Sequence, residues 1–400
     1  MSLLILNAGS SSLKFALYAA GDAPAALLTG KIDGLGSHPH VLVRGADGAR
    51  LRDDTLAGAG PQAVRDVGDA ITLLFDGLAA WAPGVALSGI GHRVVHGGVD
   101  FDGPALIGDT VLAKIEALTS LAPLHQPFNI EGIRAARRHY PGVPQVACFD
   151  TAFHRGHAFV HDTFALPREY FDAGVRRYGF HGLSYEYIAA RLRDIDPAAA
   201  GARVVVAHLG SGASLCAIRD GRSVASSMGF TALDGLPMGT RPGHIDPGVL
   251  LWLMTERGMD AAALTELLYR RSGLKGLSGL SGDLRDLHAS GQPDAAQAVD
   301  YFVAQLCQQI AAMTAALGGL DALIFTAGIG ENDPLVRARA MAGLRFLGIE
   351  PDPVANERHG AGQEGLISGS GSAVRVRVIP TDEERMIARH VGTVIAAAPG

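Results

Sequence analysis

Leu3-Leu4-Ile5-Leu6-Asn7-Ala8-Gly9-Ser10-Ser11-Ser12-Leu13-Lys14 joins an apolar run to a turn of small residues and then to a second run carrying one lysine. Residues 3–6 and 13–18 read as two β-strands around that turn. The plan returns half a chain later, where residues 203–209 and 214–219 flank Gly210-Ser211-Gly212-Ala213. Asp220-Gly221 then predicts a hairpin into a strand over 223–226, because this pair tolerates the positive φ of a tight turn. Two such units far apart suggest a duplicated domain.

Amphipathic segments lie between them. Phe302, Leu306, Ile310, Met313 and Leu317 recur at helical spacing and predict a helix over 300–317. Pro127 and Asn129 predict a helix start running to Arg138, stopped by Pro141. Residues 320–326 and 374–379 read as strands, 334–344 and 382–391 as helices, and the Gly- and Ser-rich stretch 357–373 as a surface loop. Alternating strands and helices place the chain among α/β proteins.

At 400 residues the chain exceeds one ordinary hydrophobic core, so two domains are expected. A formal charge of −6 leaves no basic surface to attract nucleic acid or an anionic membrane, and neither is expected as a partner. No stretch reaches the roughly 18 apolar residues of a spanning helix. The three cysteines, Cys148, Cys216 and Cys307, form no C-x-x-C pair, so the expected setting is a reducing cytoplasm without disulfides. Only four of the 34 basic residues are lysines, which makes Lys14 conspicuous.

The opening turn exposes backbone N–H groups beside three hydroxyls and the Lys14 ammonium, the kind of wall a phosphate needs. It is not a Walker A loop, and the plainer reading is a serine-rich hairpin. His208-Leu209-Gly210-Ser211-Gly212-Ala213-Ser214 and Thr326-Ala327-Gly328-Ile329-Gly330-Glu331-Asn332 are two further small-residue turns after apolar strands. Neither is the dinucleotide fingerprint, since Leu215 and Asp333 stand where its third glycine belongs. Three such turns in one chain suit the strand ends at which open α/β sheets bind nucleotides. His92 and His96 have helical spacing, but Val94-Val95 and the flanking glycines indicate a strand, so a histidine metal pair is not expected.

Eight motifs in order resemble the acetate kinase family from end to end. They are the stretch from Asn7 to Phe15, His92-Arg93-Val94-Val95-His96-Gly97-Gly98, Leu124-His125-Gln126-Pro127 and Cys148-Phe149-Asp150-Thr151-Ala152-Phe153-His154. Tyr178-Gly179-Phe180-His181-Gly182, Met238-Gly239-Thr240-Arg241, the stretch from Phe325 to Asn332, and Thr381-Asp382-Glu383-Glu384 complete the set. The resemblance implies an α/β protein of two related domains with the duplicated actin-like (ribonuclease H-like) fold and nucleotide in the interdomain cleft. The implied domains are 1–150 plus about 384–400, and 151–383.

The implied reaction is reversible transfer of a phosphoryl group from ATP to acetate, giving acetyl phosphate and ADP with Mg²⁺, for which Mn²⁺ can substitute. By motif, Asn7 and Glu383 hold the metal, and Ser10, Ser12 and Lys14 face the phosphates. Arg93 binds the carboxylate, with Val95, Leu124, Phe180 and Ala232 around the methyl group. Asp150, His181 and Arg241 are the catalytic set. His208, Leu209, Gly210, Ser211 and Gly212 lie along the phosphates, while Asp283, Leu284, Arg285, Gly328, Ile329, Gly330, Glu331 and Asn332 surround the adenosine. The resemblance also implies a homodimer.

Three departures stand out. Ser211 replaces an asparagine usual in the family, Ala232 replaces a proline, and Pro242-Gly243-His244 replaces a Ser-Gly-Asp stretch. The smaller Ala232 implies a roomier methyl pocket, which keeps a propionate or broad short-chain fatty acid kinase open as an alternative. A nucleotide-switched ATPase is the alternative from a different class, and a phosphorylated carboxylate intermediate is the competing mechanism.

Overall fold

The computed structural model describes residues 2–9, 11–21, 24–57 and 63–397. The chain divides into two compact units, Met1–Phe153 with Asp382–Gly400, and His154–Thr381.

The first unit is built on an eight-stranded sheet ordered β5-β4-β3-β2-β1-β6-β8-β7. Its strands are β1 (Ser2–Ala8), β2 (Ser12–Ala19), β3 (Ala26–Asp33), β4 (His40–Gly45), β5 (Arg50–Thr55), β6 (Leu87–Val94), β7 (Ala105–Leu106) and β8 (Gln145–Phe149). β1 pairs antiparallel with β2 and parallel with β6, and β6 pairs parallel with β8. One face packs on the helices Val67–Trp81 and Gln126–His139, with Leu13, Phe15, Leu28, Val41, Ile71 and Leu74 in the shared core. The other face takes the C-terminal helix Glu383–Ala397, and glycines admit it there. A Cβ on Gly89 would fall 2.3 Å from Ile395, and one on Gly91 2.6 Å from Ile387.

The second unit carries β9 (Arg203–Leu209), β10 (Ala213–Arg219), β11 (Arg222–Ser226), β12 (Ala322–Thr326), β13 (Gly365–Leu366) and β14 (Arg375–Val378), ordered β11-β10-β9-β12-β14-β13. The pairing repeats that of the first unit. β9 is antiparallel to β10 and parallel to β12, β12 is parallel to β14, and a short antiparallel strand closes the edge. The duplicated plan is therefore present, with β4 and β5 added to the first copy. The helix Pro293–Leu317 buries Phe302, Leu306, Ile310 and Leu317 of the stripe read from the sequence, leaves Met313 half-buried, and begins earlier than that stripe indicates.

Several local expectations change. Asn129 does not start its helix, which begins at Gln126 with Pro127 in the first turn; the Asn129 side chain is buried inside. Residues 357–373 are not a plain loop. The segment ends the helix Pro353–Arg358 and contributes β13, and bridges join Pro351 to Ser368 and Gly360 to Gln363. The last helix runs to Ala397 rather than 391. Cys148, Cys216 and Cys307 form no disulfide with one another. Among the described residues no helix is long and apolar enough to cross a membrane.

Candidate active site

In the first unit the carboxyl ends of three parallel strands carry the charged groups. Asn7 lies near the end of β1, Arg93 near the end of β6, and Asp150 directly after β8. Arg93 forks onto Asp150, with Nε donating to Oδ1 at 2.9 Å and Nη2 to Oδ2 at 2.6 Å. Its Nη1 donates to Asn7 Oδ1 at 3.2 Å, and Glu383 Oε2 lies 3.8 Å from Nε. Asn7 Nδ2 in turn donates to Glu384 Oε1 at 3.4 Å.

Three of the five guanidinium N–H groups are thereby engaged, and one on each terminal nitrogen remains. Asp150 is 2% exposed, whereas Arg93 keeps 21%, so the cation and not its partner meets incoming solutes. Burial would lower the Arg93 pKa, but Asp150, Glu383 and Glu384 outweigh it and fix the positive charge. Glu383 is pushed up to about 7, chiefly by burial; Arg93 pulls it down, while Asp150 and Glu384 raise it.

Asn129, which the motif reading missed, braces this edge. Its Oδ1 accepts from Val95 N at 3.0 Å and its Nδ2 donates to Ala8 O at 2.8 Å, tying the ends of β1 and β6 together. Its place near the start of a helix makes an asparagine read as a cap, which hid the buried role. Val95 is buried and Leu124 half-buried in this unit. Lys14 stands opposite Asn7 in the β1–β2 pairing, and Ser12 O accepts the Gly9 N–H at 2.9 Å. Ser10 lies outside the described residues.

In the second unit His181 begins the helix Gly182–Ile195 from a left-handed conformation, φ 58°. Its Nδ1 shares a 2.8 Å hydrogen bond with Ser214 Oγ, which also meets the buried Tyr185 hydroxyl. The His181 ring stacks on His208 at 4.1 Å, and His208 Nδ1 meets Ser184 Oγ at 2.9 Å. Arg241 Nη1 donates to the Ala232 carbonyl at 2.7 Å, and burial lowers the Arg241 pKa.

Gly212 gathers this group. A Cβ there would fall 2.8 Å from Arg241 Nη2 and 3.5 Å from His181 Nε2, so both side chains lie directly over its backbone. Phe180 is buried, and its carbonyl receives His154 Nε2 at 3.0 Å. The supporting Ser184, Tyr185 and Ser214 carried no motif signal, because hydroxyls that hold a histidine resemble any others in a sequence.

A cavity of about 760 Å³ in the same unit is lined by Gly210, Ser211, Asp283, Leu284, Arg285, Gly328, Ile329 and Asn332, joined by His288 and Asp333. Asp283 caps the helix Leu284–Ala289 and pairs with Arg285, whose side-chain hydrogen bonds are the main reason the Asp283 carboxyl is lowered. Opposite, Ala327 turns the chain at φ 64° after β12.

Glu331 and Gly330 do not line the cavity. The Glu331 carboxylate faces inward and accepts from Ala327 N at 2.8 Å and Thr381 N at 3.1 Å, while Gly330 is buried against Phe325. The buried Arg337 grips the carbonyls of Gly330 and Glu331 at 3.0 and 2.9 Å and fixes the turn from behind. Leu209 is wholly buried in β9 and contributes only backbone.

The chain matches the Acetokinase family over residues 2–389. An acetate kinase of Rhizobium meliloti is 53% identical over 397 residues, covering 99% of each chain. Two crystal structures, each 36% identical over 98% of this chain and 99% of the other, are similar throughout. One is the acetate kinase of Porphyromonas gingivalis (TM-score 0.87) and the other a propionate kinase of Francisella tularensis (TM-score 0.89).

Proposed function

The chain belongs to the acetokinase family, an enzyme family of ATP-dependent acetate kinases, and we propose how its residues share that phosphoryl transfer. Acetate is already ionised at neutral pH, so its attack needs no general base. The obstacle is repulsion: at about 4 Å and an effective dielectric near 20, each pair of like charges costs roughly 4 kcal/mol. Cations fixed before substrate arrives offset that cost without reorganising.

Arg93 binds the acetate carboxylate through its two remaining N–H groups. The observation that carries this reading is the Asp150 fork, which points the guanidinium and leaves those donors available. Asp150 thus orients a cation rather than removing a proton. Val95, Leu124, Phe180 and Ala232 are the apolar residues assigned to the methyl group. Nucleotide lies in the 760 Å³ cavity, with adenosine between the Asp283–Arg285 wall and the Gly328–Asn332 turn; the residues assigned to its phosphates are His208 to Gly212 of the second unit and Lys14, Ser10 and Ser12 of the first. Arg241 and His181, poised over Gly212, stabilise the equatorial oxygens of the transferring group.

Magnesium fits the acidic edge of the first unit. It prefers oxygen ligands and takes one or two carboxylates beside substrate phosphates. Asn7 Oδ1 and Glu383 supply such donors, and a divalent cation would offset the burial that chiefly raises Glu383, together with the smaller repulsion from Asp150 and Glu384. The ion would neutralise charge shared by the β- and γ-phosphates; manganese, also at home among oxygens, substitutes. A cytoplasmic setting accords with three cysteines that form no disulfide with one another. A homodimer accords with the helix Pro247–Arg257, which buries none of its residues and exposes Leu251, Trp252 and Met254.

Propionate is the second substrate the site favours, because Ala232 leaves more room than a proline. One methylene in an apolar pocket is worth about 1–3 kcal/mol, so propionate kcat/KM should lie within roughly two hundredfold of acetate. Trapping acyl phosphate as hydroxamate from ATP and Mg²⁺ with acetate, propionate, butyrate or no acceptor tests both readings, beside Arg93→Ala. Trapped acetyl phosphate that disappears in the variant is expected. ADP release without trapped acyl phosphate would instead indicate a nucleotide-switched ATPase.

A further inference from the structure

The strands β2, β3 and β4 send Leu13, Phe15, Leu28, Ile32, Val41 and Val43 into the core of the first unit. Alternation along a strand therefore turns Lys14, Thr29, Lys31 and Arg44 to the opposite face. There they border a depression of about 420 Å³, with Ala16 and Thr29 as its small-residue floor. The pairing sets Lys14 directly opposite Lys31, and Thr29 directly opposite Arg44. Like charges directly opposite on a sheet destabilise it. A chain with four lysines nevertheless places two of them here.

The carboxylates on the far wall stay charged but are hydrogen-bonded to other groups rather than to these cations, and only Lys14 lies close enough to an acid of that segment to lower its pKa, that of Glu383. Asp382 Oδ1 accepts from the Tyr18 hydroxyl at 3.1 Å and from Arg385 N at 2.9 Å, and Glu384 accepts from Asn7. Lys31 meets Asp33 of its own strand in a pair whose members are 46% and 39% exposed, which solvent leaves weak. Among the described residues, the Lys14 and Arg44 side chains have no hydrogen bond or ion pair. Lys31 and Arg44 are diagonal neighbours, about 7–8 Å apart at the backbone, close enough for both long side chains to reach one small dianion.

We propose that this depression is a binding site for a small organic anion with two negative charges, a dicarboxylate or a phosphate ester. It is built on Lys31, Arg44 and Thr29, none of which takes part in phosphoryl transfer, with Lys14 at its edge. Binding pays back the repulsion that the empty sheet face carries.

Calorimetric titration of the whole protein with succinate and, separately, with glycerol 3-phosphate tests the site. The protein is first saturated with ADP, Mg²⁺ and acetate, which do not react together and which occupy the transfer site. One probe or both should bind saturably and raise Tm, and the responding probe distinguishes the two sources of charge. Arg44→Ala and Lys31→Ala should each weaken binding at least about tenfold, with kcat in the absence of probe changed less than about twofold. Absence of binding by both probes up to about 10 mM, or equal binding by the variants, would overturn the proposal.

Discussion

The two units run the same strand order and bring charge to the same sheet edge, yet they equip that edge in opposite ways. At the ends of β1, β6 and β8, one arginine is locked by Asp150 and approached by Glu383. At the corresponding edge of the second sheet, His208 ends β9 beside His181, and Arg241 donates to a carbonyl rather than a carboxylate. A cation already matched by an acid is oriented and adds little net charge, which suits holding a monoanion. A buried cation without an acid retains its full field for charge that arrives with the nucleotide. Arg241→Ala should therefore have the largest effect, lowering kcat by about 10²–10³-fold, roughly 2.7–4 kcal/mol, with a smaller change in the KM for acetate. Arg93→Ala should raise that KM as well as lower kcat. Steady-state assays of both variants check the contrast, which fails if Arg241→Ala moves only the acetate KM.

The glycines of the two turns sharpen the comparison at a smaller scale. At Gly9 an added Cβ would meet Ser12 O at 3.5 Å, an ordinary contact, so Gly9→Ala should cost less than about twofold in kcat. At Gly212 the same methyl would strike Arg241 Nη2 at 2.8 Å and crowd His181. Gly212→Ala should lower kcat about tenfold or more, since small displacements of positioning groups are costly, while Tm changes little. Equal kcat losses in the two variants would show that the second turn does not gather the catalytic cations.

Much of this was legible in the sequence, and what was missed has a common cause. The strand–turn–strand units at 3–18 and 203–219 announced the duplication, because alternation and small-residue turns are local signals. β5 escaped notice: Arg50–Thr55 is almost wholly polar, and an edge strand exposed along its length has no apolar face to display. At the site, residues whose own chemistry is conspicuous, such as Arg93, Asp150, His181 and Arg241, stood out by type and motif. Asn129, Ser214 and Arg337 act by holding other groups through contacts distant in sequence, and nothing local distinguishes them. Glu331 shows the converse. It sits in a motif around the expected nucleotide, yet its carboxylate is spent on the Ala327 and Thr381 amides.

The smallest expected effect concerns the acidic edge itself and appears as a dependence of stability on pH. Burial, with Asp150 and Glu384 nearby, outweighs Arg93 and Lys14 and carries Glu383 from 4.5 to about 7 in the folded chain. Between those values the folded state keeps a proton that the unfolded chain releases, so this group's contribution to stability falls as pH rises through that window. His92 and His157 run the other way. Burial lowers them from 6.5 to about 4 and about 3, so their contribution is lost as pH falls. The total slope mixes both signs, and comparison with Glu383→Gln isolates the carboxyl. Urea unfolding without Mg²⁺ from pH 5 to pH 8 should show the unsubstituted protein losing stability relative to Glu383→Gln as pH rises, levelling above about 7. Adding Mg²⁺ should reduce that relative loss if the ionised carboxylate holds the ion as proposed. Parallel curves for the two proteins would mean that the folded chain does not raise Glu383, and the contrast between the two edges would lose its metal-binding half.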